Sequence, residues 1–290
     1  MLSIALPKGS LEEQTLLLFA QADLEVRKSS REYNPTIADP RIARVKILRP
    51  QEIPLYVAEG HFDLGISGFD WVTESGADVV EVADLPYAKT GTGLVKMVLA
   101  VCADSPIASA ADIPPGSRIT TEFPNTTRTF FERLGIPVEV QFSYGATEAK
   151  VPELMDALVD LTETGSTLRR NGLKIVDVIL ESTTRLFASN EAWADPVKRQ
   201  AIEEIRTLLL GVIEARGRVL LSMNVPAERL PAVIAELPAM KRPTVNQLYG
   251  SEDYEVMTVA DKATVNILIP RLKAAGAEDI LEMPISKIVR

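Results

Sequence analysis

The sequence predicts an α/β protein made of two αβ lobes and a smaller C-terminal domain. The chain has 290 residues, which is long for one domain and sufficient for two or three. In the first half, short β-type runs alternate with helical patterns, as in a mostly parallel sheet covered on both faces. Residues 217–290 instead show the order β-α-β-β-α-β, which is the split βαβ or ferredoxin-like pattern.

The first αβ unit contains four apolar runs of strand type and two helical stretches. Its strands are predicted at 2–6, 44–49, 62–67 and 79–85. Its helices are predicted at 10–22 and 50–60. Ser10 is expected to cap the first helix, with Glu13 completing a capping box.

The second αβ unit repeats this alternation. Its strands are predicted at 94–102, 118–123, 138–144 and 158–161. One helix is predicted over 124–135, where Gly135 ends it, and another near 148–157. Two such units in one chain indicate two lobes with a cleft between them, and ligands of such sheets bind at the carboxyl ends of the strands.

Composition and charge exclude several classes of function. The net charge of −9 argues against a nucleic-acid partner, and no apolar run is long enough to span a membrane. The single histidine, His61, excludes a multi-histidine metal site, and the single cysteine excludes an internal disulfide. We therefore expect a cytoplasmic protein whose ligands are held by local groups.

The segment DLTETGSTL, residues 160–168, carries the clearest chemical signal. A strand is expected to end here, a glycine-containing turn to follow, and a helix to begin. Such a turn points backbone N–H groups at an anion, and hydroxyl side chains beside it can donate to phosphate oxygens. The segment predicts a phosphate-binding loop, although a capped helix start without any ligand would have the same pattern.

Further segments extend this signal along nearly the whole chain. They are ALPKGSL (5–11), ILRPQEIPLYVAEGHFDLGISGFDWV (47–72), RITTEFPNTTRTFFERLGI (118–136), NGL (171–173), PTVNQL (243–248) and LKAAGAEDILEMPISKI (272–288). Together with DLTETGSTL, and in this order, they resemble the ATP phosphoribosyltransferase family in its long, histidine-regulated form.

The resemblance implies a fold, a domain division and a reaction. The two catalytic lobes would be similar to periplasmic binding proteins, the first formed by 1–91 and 182–215 and the second by 92–181. Residues 216–290 would form a regulatory domain that binds L-histidine. The reaction would join ATP to phosphoribosyl pyrophosphate with Mg²⁺ as cofactor, as the first step of histidine biosynthesis. The resemblance also implies a homo-oligomer, dimer to hexamer.

The resemblance assigns roles residue by residue. The phosphoribosyl group would be held by Asp160, Glu163, Thr164, Gly165, Ser166, Thr167 and Leu168. Nucleotide or pyrophosphate contacts would come from Lys8, Gly9, Arg49, Gly68, Asp70, Thr121, Pro124 and Asn125. The regulatory histidine would be bound near Thr244, Ala277 and Asp279. Asp160 and Glu163 are the candidate ligands of a Mg²⁺ ion held mainly by the substrates, and no dedicated acid or base is expected.

Alternatives and departures remain open at this point. Asp70 could equally be a helix N-cap, and Glu148, in GATEAKVP, could be structural. Lys150 disturbs the family pattern there, while Lys89 lies in a segment, 84–94, that is longer than usual in the family. A two-lobed solute-binding or sensor protein is the alternative function, and the C-terminal domain could serve assembly alone.

Overall fold

The chain divides into two compact units, Met1–Arg206 and Thr207–Arg290. The computed structural model describes residues 1–29, 33–87, 93–238 and 242–290. The division falls inside the long helix α7, Pro196–Ala215. The domain boundaries at 91/92, 181/182 and 215/216 stay predictions.

The first sheet belongs to the first lobe. Its strands are β1 (Leu2–Pro7), β4 (Ile42–Leu48), β5 (Leu64–Gly68), β6 (Val80–Leu85) and β12 (Thr184–Ala188), and β2 (Val26–Arg27) pairs with β3 (Thr36–Ile37) beside it. The order across the sheet is β4-β1-β5-β12-β6, and only β12 runs antiparallel to its neighbours. The first sheet is thus completed by β12, which follows all strands of the second sheet in sequence, and the division of the first lobe into 1–91 and 182–215 stays a prediction.

The second sheet forms the second lobe. Its strands are β7 (Val95–Cys102), β8 (Arg118–Thr121), β9 (Glu139–Phe142), β10 (Ala157–Thr162) and β11 (Leu173–Ser182). Their order is β11-β7-β10-β8-β9, with β7 antiparallel to both neighbours. The apolar residues of β7 from Met97 to Val101 point alternately to the two faces of this sheet and are fully buried on both.

The helices that follow the predicted pattern in the first unit are α1 (Glu12–Gln21), α2 (Ile53–Ala58), α4 (Pro124–Leu134) and α5 (Ser166–Arg170). The structure adds α3 (Phe69–Ser75) and α6 (Asn190–Ala194), which the sequence did not predict. The predicted cap of α1 is wrong, because Gly9 adopts φ +89 and a turn precedes the helix, which leaves Leu11 at the N-cap without a side-chain cap. The predicted helix near 148–157 is also wrong. A 3₁₀ turn at Thr147–Lys150 stands there, and Pro152, which lacks an N–H donor, follows it.

The second unit confirms the βαββαβ pattern. Its strands are β13 (Arg218–Val225), β14 (Thr244–Gln247), β15 (Tyr254–Asp261) and β16 (Glu278–Pro284), and its helices are α8 (Leu230–Glu236) and α9 (Val265–Ala275). The four strands form an antiparallel sheet in the order β14-β15-β13-β16. Alternate residues of β13, from Val219 to Val225, form the core with α8 and α9.

Helices long and apolar enough to cross a membrane are absent from the described parts of the chain.

Candidate functional site

A cleft of about 390 Å³ opens where strands of the two lobes end. The first lobe lines it with Gly9 after β1 and with Gly68 and Asp70 after β5. The second lobe contributes Leu161 and Glu163 at the end of β10. Since these residues follow the carboxyl ends of strands, the cleft is where the topology predicts a ligand.

The predicted phosphate-binding loop adjoins this cleft, which Leu161 and Glu163 line. Gly165 has φ +69 and is the N-cap of α5, so the strand–turn–helix order is confirmed. The Thr162 hydroxyl accepts a hydrogen bond from the Gly165 N–H at 2.8 Å, which shapes the turn. Thr164, Ser166 and Thr167 are exposed at the tip, whereas Leu168 is buried and anchors the loop. Because α5 has only five residues, the hydroxyl and N–H donors of the turn matter more than the helix dipole.

The centre of this turn favours glycine. A Cβ on Gly165 would lie 3.0 Å from Cδ1 of Ile175 and 3.1 Å from Nη1 of Arg169, in a backbone conformation that other residues rarely adopt. The guanidinium of Arg169 also donates to the carbonyl of Thr164 at 3.0 Å. The loop is therefore held in one shape by its own neighbours before any ligand binds.

Asp160 lies in β10, just before the loop, and is largely buried in the second lobe. Burial is the main cause that raises its pKa, and Glu148 nearby acts in the same direction, while hydrogen bonds from the Leu161 N–H and the Thr147 hydroxyl oppose it. Glu122, directly after β8, lies close enough to Asp160 for the two carboxylates to affect each other, and its pKa is raised by burial and by Asp160. Reasoning from sequence missed Glu122, although its place at a strand end was a usable signal.

Lys150 supplies positive charge beside these carboxylates. Its Nζ donates to the Ser143 hydroxyl at 2.6 Å, and Ser143 lies 3.4 Å from the Thr147 hydroxyl, which reaches Asp160. Ser143 and Thr147 are both buried. The residue that disturbs the family pattern is thus connected through two buried hydroxyls to the start of the loop.

Asp70 faces the cleft from the first lobe. It is only 4% exposed, and burial raises its pKa to about 6. Gly68, not Asp70, is the N-cap of α3, so the N-cap alternative for Asp70 is wrong. A Cβ on Gly68 would lie 2.3 Å from Oδ1 of Asp70, so the glycine is required for the carboxylate to stay where it is.

Cationic groups stand at the ends of β1 and β4. Lys8 donates to the hydroxyl of Tyr33 at 2.8 Å and also lies over the Tyr33 ring. Arg49 follows β4, is exposed, and lies near enough to contribute to the lowered pKa of Tyr33, whose main cause is Lys8. The structure therefore brings Lys8, Gly9 and Arg49 to one edge of the first sheet, and it adds Tyr33, which the sequence did not single out.

Like Lys8, Arg49, Asp160 and residues 164–168, three further predicted contacts are not among the residues that line the cleft. The buried hydroxyl of Thr121 accepts from the Phe123 N–H at 2.9 Å, and Pro124 begins α4. Asn125 is bonded to Glu74 of the first lobe. None of these three lines the cleft, and their contact with the nucleotide stays a prediction. Lys89 lies outside the described residues.

The candidates for the regulatory histidine stand on opposite edges of the C-terminal sheet. Thr244 begins the edge strand β14 and borders a cavity of about 440 Å³ that Arg218 and Arg242 also line. Ala277 is buried just before the other edge strand, β16, and Asp279 accepts from the Asn224 amide at 3.0 Å. With two strands between the edges, Thr244 and Asp279 are roughly 14 Å apart across the sheet.

Carboxylates at and beside the cleft are suited to contribute one or two ligands to a metal ion that is held mainly by the substrates. In the described part of the chain no group of three or more His, Cys, Asp or Glu side chains is arranged to bind a metal. Asp160, already bonded to Leu161 and Thr147, and the exposed Glu163 could supply one or two carboxylate ligands. Such partial coordination suits Mg²⁺, which keeps water and substrate phosphates in its shell.

These features define a class: a two-lobed α/β protein with an interlobe cleft, a glycine-centred loop suited to phosphate, and a separate βαββαβ domain. Comparison with known proteins gives the family. The family model described as ATP phosphoribosyltransferase matches residues 49–211, and the one described as the C-terminal domain matches residues 215–287. Proteins named ATP phosphoribosyltransferase from Pelotomaculum thermopropionicum and Desulforudis audaxviator are each 49% identical over 288 residues, 99% of both chains.

A solved structure agrees over the catalytic lobes. The ATP phosphoribosyl transferase (HisG:HisZ) complex from Thermotoga maritima contains a chain that is 26% identical with a TM-score of 0.62, covering 72% of this chain and 99% of that one. The chain belongs to the ATP phosphoribosyltransferase family, in the long form that carries the C-terminal domain. It is a transferase of histidine biosynthesis, and its family's substrates are ATP and phosphoribosyl pyrophosphate.

Proposed function

We propose that the cleft transfers the 5-phosphoribosyl group to N1 of ATP, with the phosphoribosyl end on the second lobe and the nucleotide on the first. The observation that supports this most is the position of Glu163 and Leu161 of the loop segment opposite Gly68 and Asp70 in one cleft. The 5-phosphate is bound by the N–H and hydroxyl groups of Thr164–Thr167, and the ribose hydroxyls by the carboxylates of Asp160 and Glu163.

The chemistry asks for alignment more than for proton transfer. Adenine N1 has a free lone pair at neutral pH, so it attacks the anomeric carbon without a strong general base, and pyrophosphate leaves. The two substrates are polyanions that must be held together, so positioning and electrostatic stabilisation supply the rate. Lys8 and Arg49 on the first lobe face phosphates of the bound substrates and offset their repulsion. Asp160 and Glu163 would hold a Mg²⁺ ion, which would supply positive charge to offset that of the departing pyrophosphate.

The loop assignment is tested by calorimetric binding of phosphoribosyl pyrophosphate with Mg²⁺. The double variant Gly165→Val and Thr167→Ala fills the turn and removes one hydroxyl, so we expect it to lose binding and turnover while the fold persists. Gly172→Val is the matched control, because Gly172 also has positive φ but has open space around its Cβ position. Binding retained by the double variant, or lost equally in Gly172→Val, rejects the loop as the phosphoribosyl site.

We further propose that L-histidine inhibits the enzyme through the C-terminal domain of a homo-oligomer. Thr244 and Asp279 lie too far apart across the sheet for one amino acid to touch both in one chain. A site that uses both is therefore completed by two chains, with Thr244 from one and Asp279 from the other. Closed homo-oligomers, dimers assembling to hexamers, would bring the two edges together.

A further inference from the structure

A buried carboxylate links the two lobes outside the substrate cleft. Glu74, in the last turn of α3 in the first lobe, is only 8% exposed. Its Oε1 accepts from the N–H of Asn125 at 2.9 Å, and its Oε2 accepts from the N–H of Thr126 at 2.9 Å and the Thr126 hydroxyl at 2.8 Å. Asn125 and Thr126 lie in the first turn of α4, which belongs to the second lobe.

The geometry of this contact satisfies groups that the helix itself leaves open. N–H groups in the first turn of a helix have no partner within the helix, and a negative charge there is favoured by the helix dipole. Glu74 meets two such groups, so its carboxylate is fully engaged by donors of the opposite lobe. Hydrogen bonds to an ionised carboxylate are among the strong ones in proteins.

Two neighbouring contacts reinforce the link. The side-chain amide of Asn125 donates to the backbone carbonyl of Glu74 at 3.1 Å. The rings of Trp71, on α3, and Phe123, just before α4, lie 4.4 Å apart between centroids. Phe123 is buried, and Trp71 also lines the cleft, so the link continues directly into the cleft wall.

We propose that Glu74 is a positioning residue of the transferase: it fixes the second lobe against the first so that the two halves of the cleft face each other. This rests on the proposed function, in which the phosphoribosyl group binds the second lobe and the nucleotide binds the first. Because the reacting atoms are held by different lobes, a small shift between the lobes separates them. Misplacement by about 1 Å can cost roughly 100-fold in rate.

The phosphoribosyl loop lies wholly within the second lobe, which gives the proposal a distinctive signature. Loss of the link should leave the binding of phosphoribosyl pyrophosphate alone nearly unchanged, because residues 160–168 keep their own supports. Turnover, which needs both lobes in register, should fall. A residue needed only for folding would affect both quantities, or neither once the protein is folded.

The test compares Glu74→Gln with wild type and with Glu132→Gln. The glutamine keeps one acceptor but points an N–H₂ group at the donors of α4, whereas Glu132 is an exposed carboxylate on α4 and controls for the loss of charge. We expect Glu74→Gln to lower kcat roughly 10- to 100-fold with less than about a threefold change in the Kd of phosphoribosyl pyrophosphate. Glu132→Gln should behave as wild type.

Amide hydrogen exchange provides a readout independent of activity. In Glu74→Gln, exchange at the N–H groups of Asn125 and Thr126 should accelerate, while exchange in β10 stays unchanged. If Glu74→Gln folds poorly, Thr126→Val removes only the hydroxyl bond and should give a smaller loss of kcat in the same direction.

Wild-type kcat in a folded Glu74→Gln protein, or equal losses of kcat and of phosphoribosyl pyrophosphate binding, overturns the proposal. If the wild type does not bind phosphoribosyl pyrophosphate at all, the proposed function fails instead. If exchange at the N–H groups of Asn125 and Thr126 is the same in Glu74→Gln as in wild type, the link between the lobes is absent in solution, and this also overturns the proposal.

Discussion

At the scale of single residues, Asp70 shows that this cleft is not arranged for maximum stability. The carboxyl group is nearly fully buried after β5, and its Oδ1 accepts from the Trp71 N–H at 2.6 Å. Gly68 keeps the space that this carboxylate occupies. Charged groups held in places where water cannot reach them are common at functional sites, where their chemistry outweighs their cost.

The raised pKa of Asp70 makes its cost depend on pH. Burial raises the pKa from 3.8 to about 6. The folded protein therefore binds a proton that the unfolded chain releases between these values, and the free energy of unfolding falls as pH rises through this window. Above it, the difference amounts to about 3 kcal/mol.

Asp70→Asn should remove this cost while lowering turnover. We expect the free energy of unfolding to rise by up to about 3 kcal/mol at pH 7.5, with little change at pH 4, where Asp70 is protonated in the folded state. Urea unfolding at the two pH values measures the effect. A gain of equal size at both pH values would show that the pKa of Asp70 is not raised.

At the scale of elements, the sequence predicted the strands whose apolar residues alternate or run together, and it predicted the strand–turn–helix order of the loop at 160–168. It missed β11 and β12. The pairing of β11 with β7 shifts register twice, so its inward and outward residues do not alternate in sequence. The placement of Glu122, Lys150 and Tyr33 beside the predicted site depends on sheet order, which no local pattern contains.

The 3₁₀ turn at Thr147–Lys150 gives a prediction about pH at this scale. The positive charge of Lys150 partly offsets the burial and the Asp160 charge that raise the pKa of Glu122. Lys150 is also linked through Ser143 and Thr147 to Asp160. In Lys150→Met, the pKa of Glu122 should rise further. We expect the ionised form of Glu122 to support phosphoribosyl pyrophosphate binding beside Asp160, so the acid limb of that binding should move to higher pH.

The measurement is the pH dependence of that binding, with Lys174→Met as control. Lys174 is on β11 and donates to the carbonyl of Ser105, away from the loop. An acid limb that stays in place in Lys150→Met, or moves equally in both variants, contradicts a role for Lys150 at the site.

At the scale of the whole molecule, the proposed histidine inhibition depends on the C-terminal domain. Thr244 and Asp279 stand on opposite edges of a four-stranded sheet. If both contact histidine, then Thr244→Ala and Asp279→Ala chains should each form a histidine-insensitive enzyme with normal turnover. Refolding an equimolar mixture of the two should restore inhibition at a fraction of the sites, because some interfaces then contain both native residues.

Inhibition curves of the mixture and of each variant alone make the comparison. A mixture as insensitive as its components, with mixed oligomers verified by mass spectrometry, contradicts a site shared between chains.

The transfer reaction itself can be tested directly in one assay. The purified full-length protein is mixed with ATP, phosphoribosyl pyrophosphate and Mg²⁺, with pyrophosphatase present to remove the released pyrophosphate. We predict accumulation of phosphoribosyl-ATP joined at adenine N1, which chromatography and mass spectrometry identify, and its suppression by L-histidine. If no product forms under these conditions, the protein does not catalyse the proposed transfer.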